Sequence, residues 1–388
     1  MAYADVINPI KIKVSSDIAA KLDNFLRRMC IISAGDTSLT TGQYKEVVSS
    51  TYTTILKNAT SDSELKDKLS GYFSFAGNKP CIVLEVGAFD ANSNKISAQV
   101  ATLKNFISSG LSRCYMHLVP DAWYFPEEID SVRDTAFISL CNEFNGLDAA
   151  TFFIVKGNNE DPLTSQAWGE YSGIKSAFVV YDNTSPSYKN PLTSIYLGIM
   201  ANAKYDISDT QKCTPLNNKS IEGAKLTEIG AVLANNLTQA PQNFGGDFAG
   251  SSVLFNGRYA DGNAWEFYYQ NDLMIFRIQE ALSSLLLNSA NNGNYVLQYN
   301  QNGIDVINAT IKSVLNILKS QGVITEYAAE KNASTGALER PGYINAIDFY
   351  TYKNSNPQDY ASEIYGGISF YALIGRYIKQ VNLAISIG

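Results

Sequence analysis

The sequence predicts an α/β fold with α+β elements and a β-strand arm at each end of the chain. Three observations carry this. Continuous apolar runs of strand length (CIVLEVGAF, ATFFIVKG, SAFVVYD) are separated by amphipathic stretches of helical spacing, which implies a sheet covered on both faces. A pair of long amphipathic stretches fills most of residues 265–321. Near both ends, apolar and polar residues alternate: Ile10, Ile12 and Val14 against Lys11, Lys13 and Ser15, then Val381, Leu383, Ile385 and Ile387 against Gln380, Asn382, Ala384 and Ser386. Termini are where order is normally lost, so strands placed there read as arms that dock on a sheet, at home or in a neighbour.

In chain order, Asp17 to Cys30 has Ile18, Leu22, Phe25, Leu26 and Met29 at helical spacing and runs into the strand-like CIISAG. Thr41 to Leu69 is polar and partly helical, and Gly71 to Pro80 predicts a loop. An α/β rhythm follows. Cys81 to Phe89 is a buried strand, SAQVATLKNFISSG a helix, Cys114 to Pro120 a strand, and EEIDSVRDTAFISLCNEFN a helix with charges in its first turn. Two more buried strands lead to a helix over Leu192 to Ala203. Gly223 to Leu237 predicts another helix, and the glycines of FGGDFAG a flexible connection. A strand, a turn at Asp261-Gly262 and a helix ending near Leu287 come next. Gly303 to Gln321 is helical, with Val306, Ile307, Ile311, Val314, Leu315 and Leu318 apolar, and Gly322 stops it. Val323 to Asn356 reads as a loose region with strand pieces, and the closing strand begins near Arg376. The expected organisation is an arm over 1–20, an α/β body over 21–245, a C-terminal domain over 246–375 and an arm over 376–388.

With 388 residues, the chain can bury a sizeable core. Its 30 basic against 37 acidic residues give a net charge of −7, which argues against a dedicated nucleic-acid binder. Only 17% of residues are charged, and a polar but weakly charged surface suits packed assemblies. Cys30, Cys81, Cys114, Cys141 and Cys213 are odd in number and set in apolar stretches, so they read as reduced core residues of a cytosolic folding environment. The N-terminus has no hydrophobic signal region, and no apolar run reaches the ~18 residues that span a bilayer. The expectation is a soluble protein without membrane insertion. The N-x-[ST] triplets at Asn58, Asn236 and Asn308 reflect an Asn-rich composition.

No catalytic constellation emerges. The one histidine, His117, lies inside the apolar strand CYMHLVP and reads as a core residue, and multi-His metal sites are excluded. Asp90, Asn92 and Asn94 resemble the start of a calcium loop. Lys95 stands where the turn glycine belongs and Ala101 where the bidentate Glu belongs, so a helix-capping loop is the better reading. The FGGDFAG stretch lacks the Gly-Lys-Ser/Thr of a phosphate cradle. Glu127-Glu128 suits a helix N-terminus, and Trp265, Phe267, Tyr268 and Tyr269 suit core or interface packing at the head of a helix. No cofactor and no enzymatic activity are expected.

From Asn256 to Gly322 the chain resembles the C-terminal domain of contractile phage tail sheath proteins. The resemblance rests on the turn at Asp261-Gly262, Gln279 ahead of a leucine-rich half-helix, and a helix opened by Gly303-Ile304 and closed by Gly322-Val323. Pro191 to Asp206 is similar to a sheath segment in which Thr193-Ser194 opens a small-residue helix, and YIKQVNLAISIG to the final sheath strand. The Asn-rich link between the two helices departs from the pattern, and the short body implies that any outer decoration domain is reduced or absent.

The resemblance implies a layered sheet-and-helix sheath-like body that polymerises as stacked hexameric rings around a tail tube. Its partners would be other copies of itself, a tail tube protein, the baseplate and a tail terminator, in a virion tail assembled in the bacterial host cytoplasm. The arms, with Ile10, Ile12, Val14, Val381, Leu383, Ile385 and Ile387, would add strands to sheets in neighbouring subunits. Elementary energetics agree. Burying the four apolar side chains of the last strand gains about 6–12 kcal/mol, and ordering its residues costs about 8–16 kcal/mol. A lone arm is near break-even, whereas linkage over many subunits adds avidity. The alternatives carried are another structural virion component, in the tube or baseplate, and an α/β ligand-binding protein or hydrolase.

Overall fold

A computed structural model of the chain describes residues 26, 28–89, 95–109, 114–126, 128, 133–146, 150–157, 162–202, 216–291 and 297–376. Both expected arms, with Ile10, Ile12, Val14, Val381, Leu383, Ile385 and Ile387, lie outside these residues, as do Asp90–Asn94, Glu127 and Cys213. The described residues divide into two compact units, the first ending at Trp265 and the second starting at Glu266.

The first unit is built on a six-stranded sheet in the order β2-β3-β1-β4-β5-β6. Its strands are β1 (Met29–Ser33), β2 (Tyr44–Val47), β3 (Cys81–Glu85), β4 (Met116–Leu118), β5 (Phe152–Gly157) and β6 (Ala177–Tyr181). All pairings are parallel except that of β2 with β3. β1, β3, β4 and β5 are buried along nearly their whole length, as continuous apolar runs require when both faces are covered. In chain order the parallel strands stand 2-1-3-4-5, a doubly wound arrangement whose direction reverses between β1 and β4.

Helices cover both faces. On one, α2 (Ser97–Ser109), α3 (Ala136–Glu143) and α4 (Gln166–Tyr171) bury Val100, Leu103, Phe137, Leu140 and Tyr171 against Cys30, Ile82, Phe153 and Val179. On the other lie α1 (Glu64–Ala76) and α5 (Leu192–Ala201). Helix α5 is apolar all round and buried almost throughout, as a helix enclosed between a sheet and a second helix must be. Glycines let the two helices approach: a Cβ on Gly198 would stand 2.5 Å from the Tyr72 carbonyl, and one on Gly71 would collide with the Ser194 hydroxyl. The apolar-run argument therefore holds for the α/β body.

Several elements differ from expectation. Residues 44–47 form a strand at the sheet edge, not a helix, because Lys45 and Glu46 suit a solvent-facing edge. Helix α1 continues through Gly71 to Ala76, since Gly71 is there for the α5 contact and not to break the chain. Glu128 and Arg133–Thr135 are outside α3, with Arg133 paired to Glu128 at 3.2 Å. The helix expected over 223–237 is only α6 (Ala231–Gln239). The glycine-rich FGGDFAG is no flexible link. It forms β7 (Phe244–Phe248), paired with β8 (Ser251–Phe255) as a hairpin, with Gly246 beneath the Phe255 ring.

Buried asparagines close the sheet edge beside β6. The Asn243 side chain donates to the Val179 and Arg258 carbonyls, both at 2.8 Å, and accepts from Arg258 N–H. Asn183 donates to the Gly245 and Thr227 carbonyls and accepts from Gly245 N–H. An amide offers donor and acceptor together, so it substitutes for a strand where the chain is irregular.

In the second unit, α7 (Trp265–Asn291) and α8 (Gln301–Ser320) are the two long helices, and the Asn300 side chain caps α8 through Gly303 N–H. The stretch after Gly322 is more regular than expected. β9 (Ile324–Lys331) is the centre of a three-stranded antiparallel sheet between β10 (Leu338–Pro341) and β13 (Tyr371–Ile374). Short strands β11 (Asn345–Ala346) and β12 (Ile368–Ser369) flank α9 (Phe349–Ser355) and α10 (Pro357–Ala361). Tyr299, Phe349, Tyr360 and Tyr365 hold this region together with ring centroids 5.0–6.4 Å apart.

Candidate functional site

Doubly wound sheets bind ligands at the carboxyl ends of their strands, at the reversal point, and use helix N-termini for anions. In this chain those positions are filled by its own side chains. Beside β4, Lys68 of α1 exposes none of its side chain and places Nζ 2.7 Å from Asp121, 2.5 Å from Glu64 and 2.8 Å from the Val119 carbonyl. Nζ thus donates to Glu64 and to the Val119 carbonyl and forms an ion pair with Asp121. Lys156 reaches the other Asp121 oxygen at 3.0 Å. Burial pushes the Lys68 pKa down, but the two carboxylates reverse this and leave it above the usual lysine value. Burial raises Asp121, and Lys68 and Lys156 more than offset it, so its carboxyl titrates below the usual range.

Helix N-termini are closed in the same way. Asp36, after β1, accepts from Leu65 N–H at the start of α1. Asp182, after β6, accepts from Leu192 N–H at the start of α5. Asp134 serves two helices: Oδ2 accepts from Ile96 and Ser97 N–H and from the Ser97 hydroxyl at 2.6 Å, and Oδ1 from Ala136 N–H. Burial works against ionisation of Asp134, but these hydrogen bonds prevail and lower its pKa. Glu85, at the end of β3, accepts from Ser33, Thr37, Gly35 and Gly87. None of these carboxylates was singled out in the sequence. For Asp36, Asp121 and Asp182 the readable signal was an acidic residue one to three positions beyond a strand.

His117 is a core residue, 1% exposed on β4, with Nδ1 3.3 Å from the Phe152 carbonyl and its pKa lowered by burial to about 4. Cys30, Cys81, Cys114 and Cys141 are buried, and burial holds Cys30, Cys81 and Cys141 above the ordinary thiol value. Trp265, Tyr268 and Tyr269 are buried. Among the described residues no cluster could hold a metal ion, and no helix is long and apolar enough to cross a membrane.

The open features are edges. Lys45 and Glu46 blunt β2, Glu339 and Pro341 blunt β10, and the segment at Asn243 covers β6. β13, with sequence YALI, has neither charge nor proline. It pairs with β9 on one side, and no described residue pairs with its other edge. Tyr371 and Leu373 stand about half exposed on one face, at 49% and 47%. An uncharged, apolar, open edge is a template for another strand.

This fold is that of contractile tail sheath proteins. A chain of the anti-feeding prophage baseplate matches with a TM-score of 0.62 at 14% identity, covering 94% of this chain and 93% of that one. A chain of the anti-feeding prophage helical sheath in its contracted state matches with a TM-score of 0.56 at 14% identity, covering 93% and 92%. The sheath tail protein of Listeria innocua matches with a TM-score of 0.50 at 10% identity, covering 80% and 89%. No protein-family model matches the sequence, and no curated protein does. The likeness read from residues 256–322 therefore extends, as fold, over nearly the whole chain.

Proposed function

We propose that the chain is a structural subunit of a contractile injection apparatus, a tail sheath protein that polymerises as stacked hexameric rings around a tail tube and shortens to drive the tube through a target envelope. The observation that carries this reading is the fold shared over 93% of the chain with a sheath chain in its contracted state. The filled crevice agrees with it, because the positions that serve ligands in other doubly wound proteins serve internal stability here. No nucleotide or catalytic step is needed, since contraction releases conformational energy stored at assembly.

In this reading the chain has an arm at each end of a two-part body, and the arms over Ile10–Val14 and Val381–Ile387 pair with sheets in neighbouring copies. The open β13 edge supports an acceptor role. The particle is a phage tail or a phage-derived injection machine assembled in the bacterial cytoplasm, with a tube protein, baseplate and terminator as further partners. Leu383→Pro, which removes one strand N–H, and Leu373→Lys, which charges the acceptor edge, should each prevent polymerisation of a folded protein. Tubes of normal length from both variants would refute strand donation.

A second reading is favoured by the likeness to a baseplate chain: a sheath-like component of the baseplate. It predicts closed rings that never lengthen into tubes as concentration rises.

A further inference from the structure

We propose that Asn145 is a self-modification site, at which the backbone nitrogen of Gly146 closes a succinimide that water opens to aspartate and isoaspartate. The inference is independent of the assembly reading.

The chain contains four Asn-Gly pairs, at Asn145, Asn256, Asn292 and Asn302. A glycine after asparagine has no Cβ to hinder its own nitrogen as that nitrogen turns toward the asparagine side chain. Cyclisation then asks three things of the fold. The glycine N–H must have no acceptor, the asparagine Nδ2 must be free to leave, and Oδ1 must be stabilised as negative charge gathers on it.

Two of the pairs are locked. Asn256 is buried, its Nδ2 donates to the Leu237 and Gln242 carbonyls, and Gly257 N–H donates to the Phe255 carbonyl at 3.0 Å. Asn302 lies in the first turn of α8, where Gly303 N–H donates to Asn300 Oδ1 at 3.0 Å and the Gln298 carbonyl packs against Gly303. Asn292 and Gly293 lie outside the described residues.

Asn145 and Gly146 meet all three demands. They follow α3, and Gly146 is exposed, so water reaches the pair. No described residue accepts from Gly146 N–H or from Asn145 Nδ2. Oδ1 accepts from Lys175 N–H at 2.6 Å, a donor already in place for the oxyanion. Lys175 Nζ donates to the Gly146 carbonyl, also at 2.6 Å, and Lys175 is only 3% exposed. One buried residue therefore holds the electrophile and the nucleophile's residue together, while the two groups that must react stay unbonded.

In the reaction, hydroxide takes the Gly146 proton, the N–Cγ bond forms, and the Cγ–Nδ2 bond breaks as ammonia leaves. One water then adds to the ring. Addition at Cγ gives aspartate, and addition at the main-chain carbonyl gives isoaspartate, with one more carbon in the chain between α3 and β5. Either product carries one more negative charge.

The test ages the full chain in mildly alkaline buffer, native and in urea. It follows deamidation by peptide mass spectrometry and isoaspartate by protein isoaspartyl methyltransferase. In the native chain the peptide holding Asn145 should react about tenfold or more faster than those holding Asn256 and Asn302, and in urea the three rates should converge. Gly146→Ala should slow the native reaction at Asn145 about tenfold. A native Asn145 as inert as Asn256, or native rates equal at all three sites, would overturn the assignment.

Discussion

Lys68 and Asp121 form an ion pair 2.7 Å long in which the lysine side chain has no contact with water. It sits where doubly wound proteins keep their ligand crevice, so the central feature of this body is an internal lock. Removing Lys68 leaves Asp121 partly exposed and still paired with Lys156, so the loss falls below the about 3–5 kcal/mol of a fully buried pair, whereas replacing a buried pair by packed apolar groups is often neutral. Lys68→Ala should therefore lower the denaturation midpoint, and Lys68→Met/Asp121→Leu should recover much of the loss. Denaturant unfolding of both variants checks this, and equal losses would show that charge is not the issue.

His117 makes stability fall with acid. Its folded pKa is about 4, and its unfolded value is about 6.5. The unfolded chain takes up the proton first as pH falls. The neutral, buried histidine thus gives full stability above about pH 6.5, and about 3 kcal/mol of it is lost by about pH 4. This is the chain's one histidine. Unfolding free energy measured from pH 7 to 5 should slope clearly in the wild type and be nearly flat in His117→Gln.

Asp134 acts at lower pH. Its lowered pKa means that its contribution is present above the unfolded carboxyl value of about 3.9 and is lost as pH falls through the folded value. Asp134→Ala removes caps from α2 and α3 together and should cost about 1–2 kcal/mol at neutral pH. Asp134→Asn should keep part of the capping while losing the dependence below pH 4, read by chemical unfolding at several pH values.

Gly198 and Gly71 allow α1 and α5 to cross closely. Gly198→Ala should destabilise the body by about 1–3 kcal/mol through overpacking, although alanine is the better helix former. Val232→Ala, at an exposed helix position, is the control and should change stability little. Thermal melting of both variants gives the comparison.

The sequence made the body legible where burial fixes the pattern. CIVLE, FFIVKG and AFVVY could only be strands with both faces covered, and the 3.6-residue spacing from Val306 to Leu318 could only be a helix. It misled where one residue type has two physical uses. Gly71 reads as a breaker but is a packing residue, and the glycines of FGGDFAG read as a hinge but lie in a hairpin. The edge strand at Tyr44–Val47 carries charges for protection, and these mask its period. The carboxylates that close the helix N-termini act across distances in sequence, such as the 38 positions from Ile96 to Asp134. Only the folded chain brings them together.

The central claim is that this chain is an assembling sheath subunit linked by its terminal strands. Negative-stain electron microscopy of the purified full chain beside a variant lacking residues 380–388 tests it most directly. The account predicts rings or tubes from the full chain, and from the truncated chain only dispersed subunits with the melting transition of an intact body. Tubes of unchanged length from the truncated chain, or an unassembled full chain at every concentration, would contradict it.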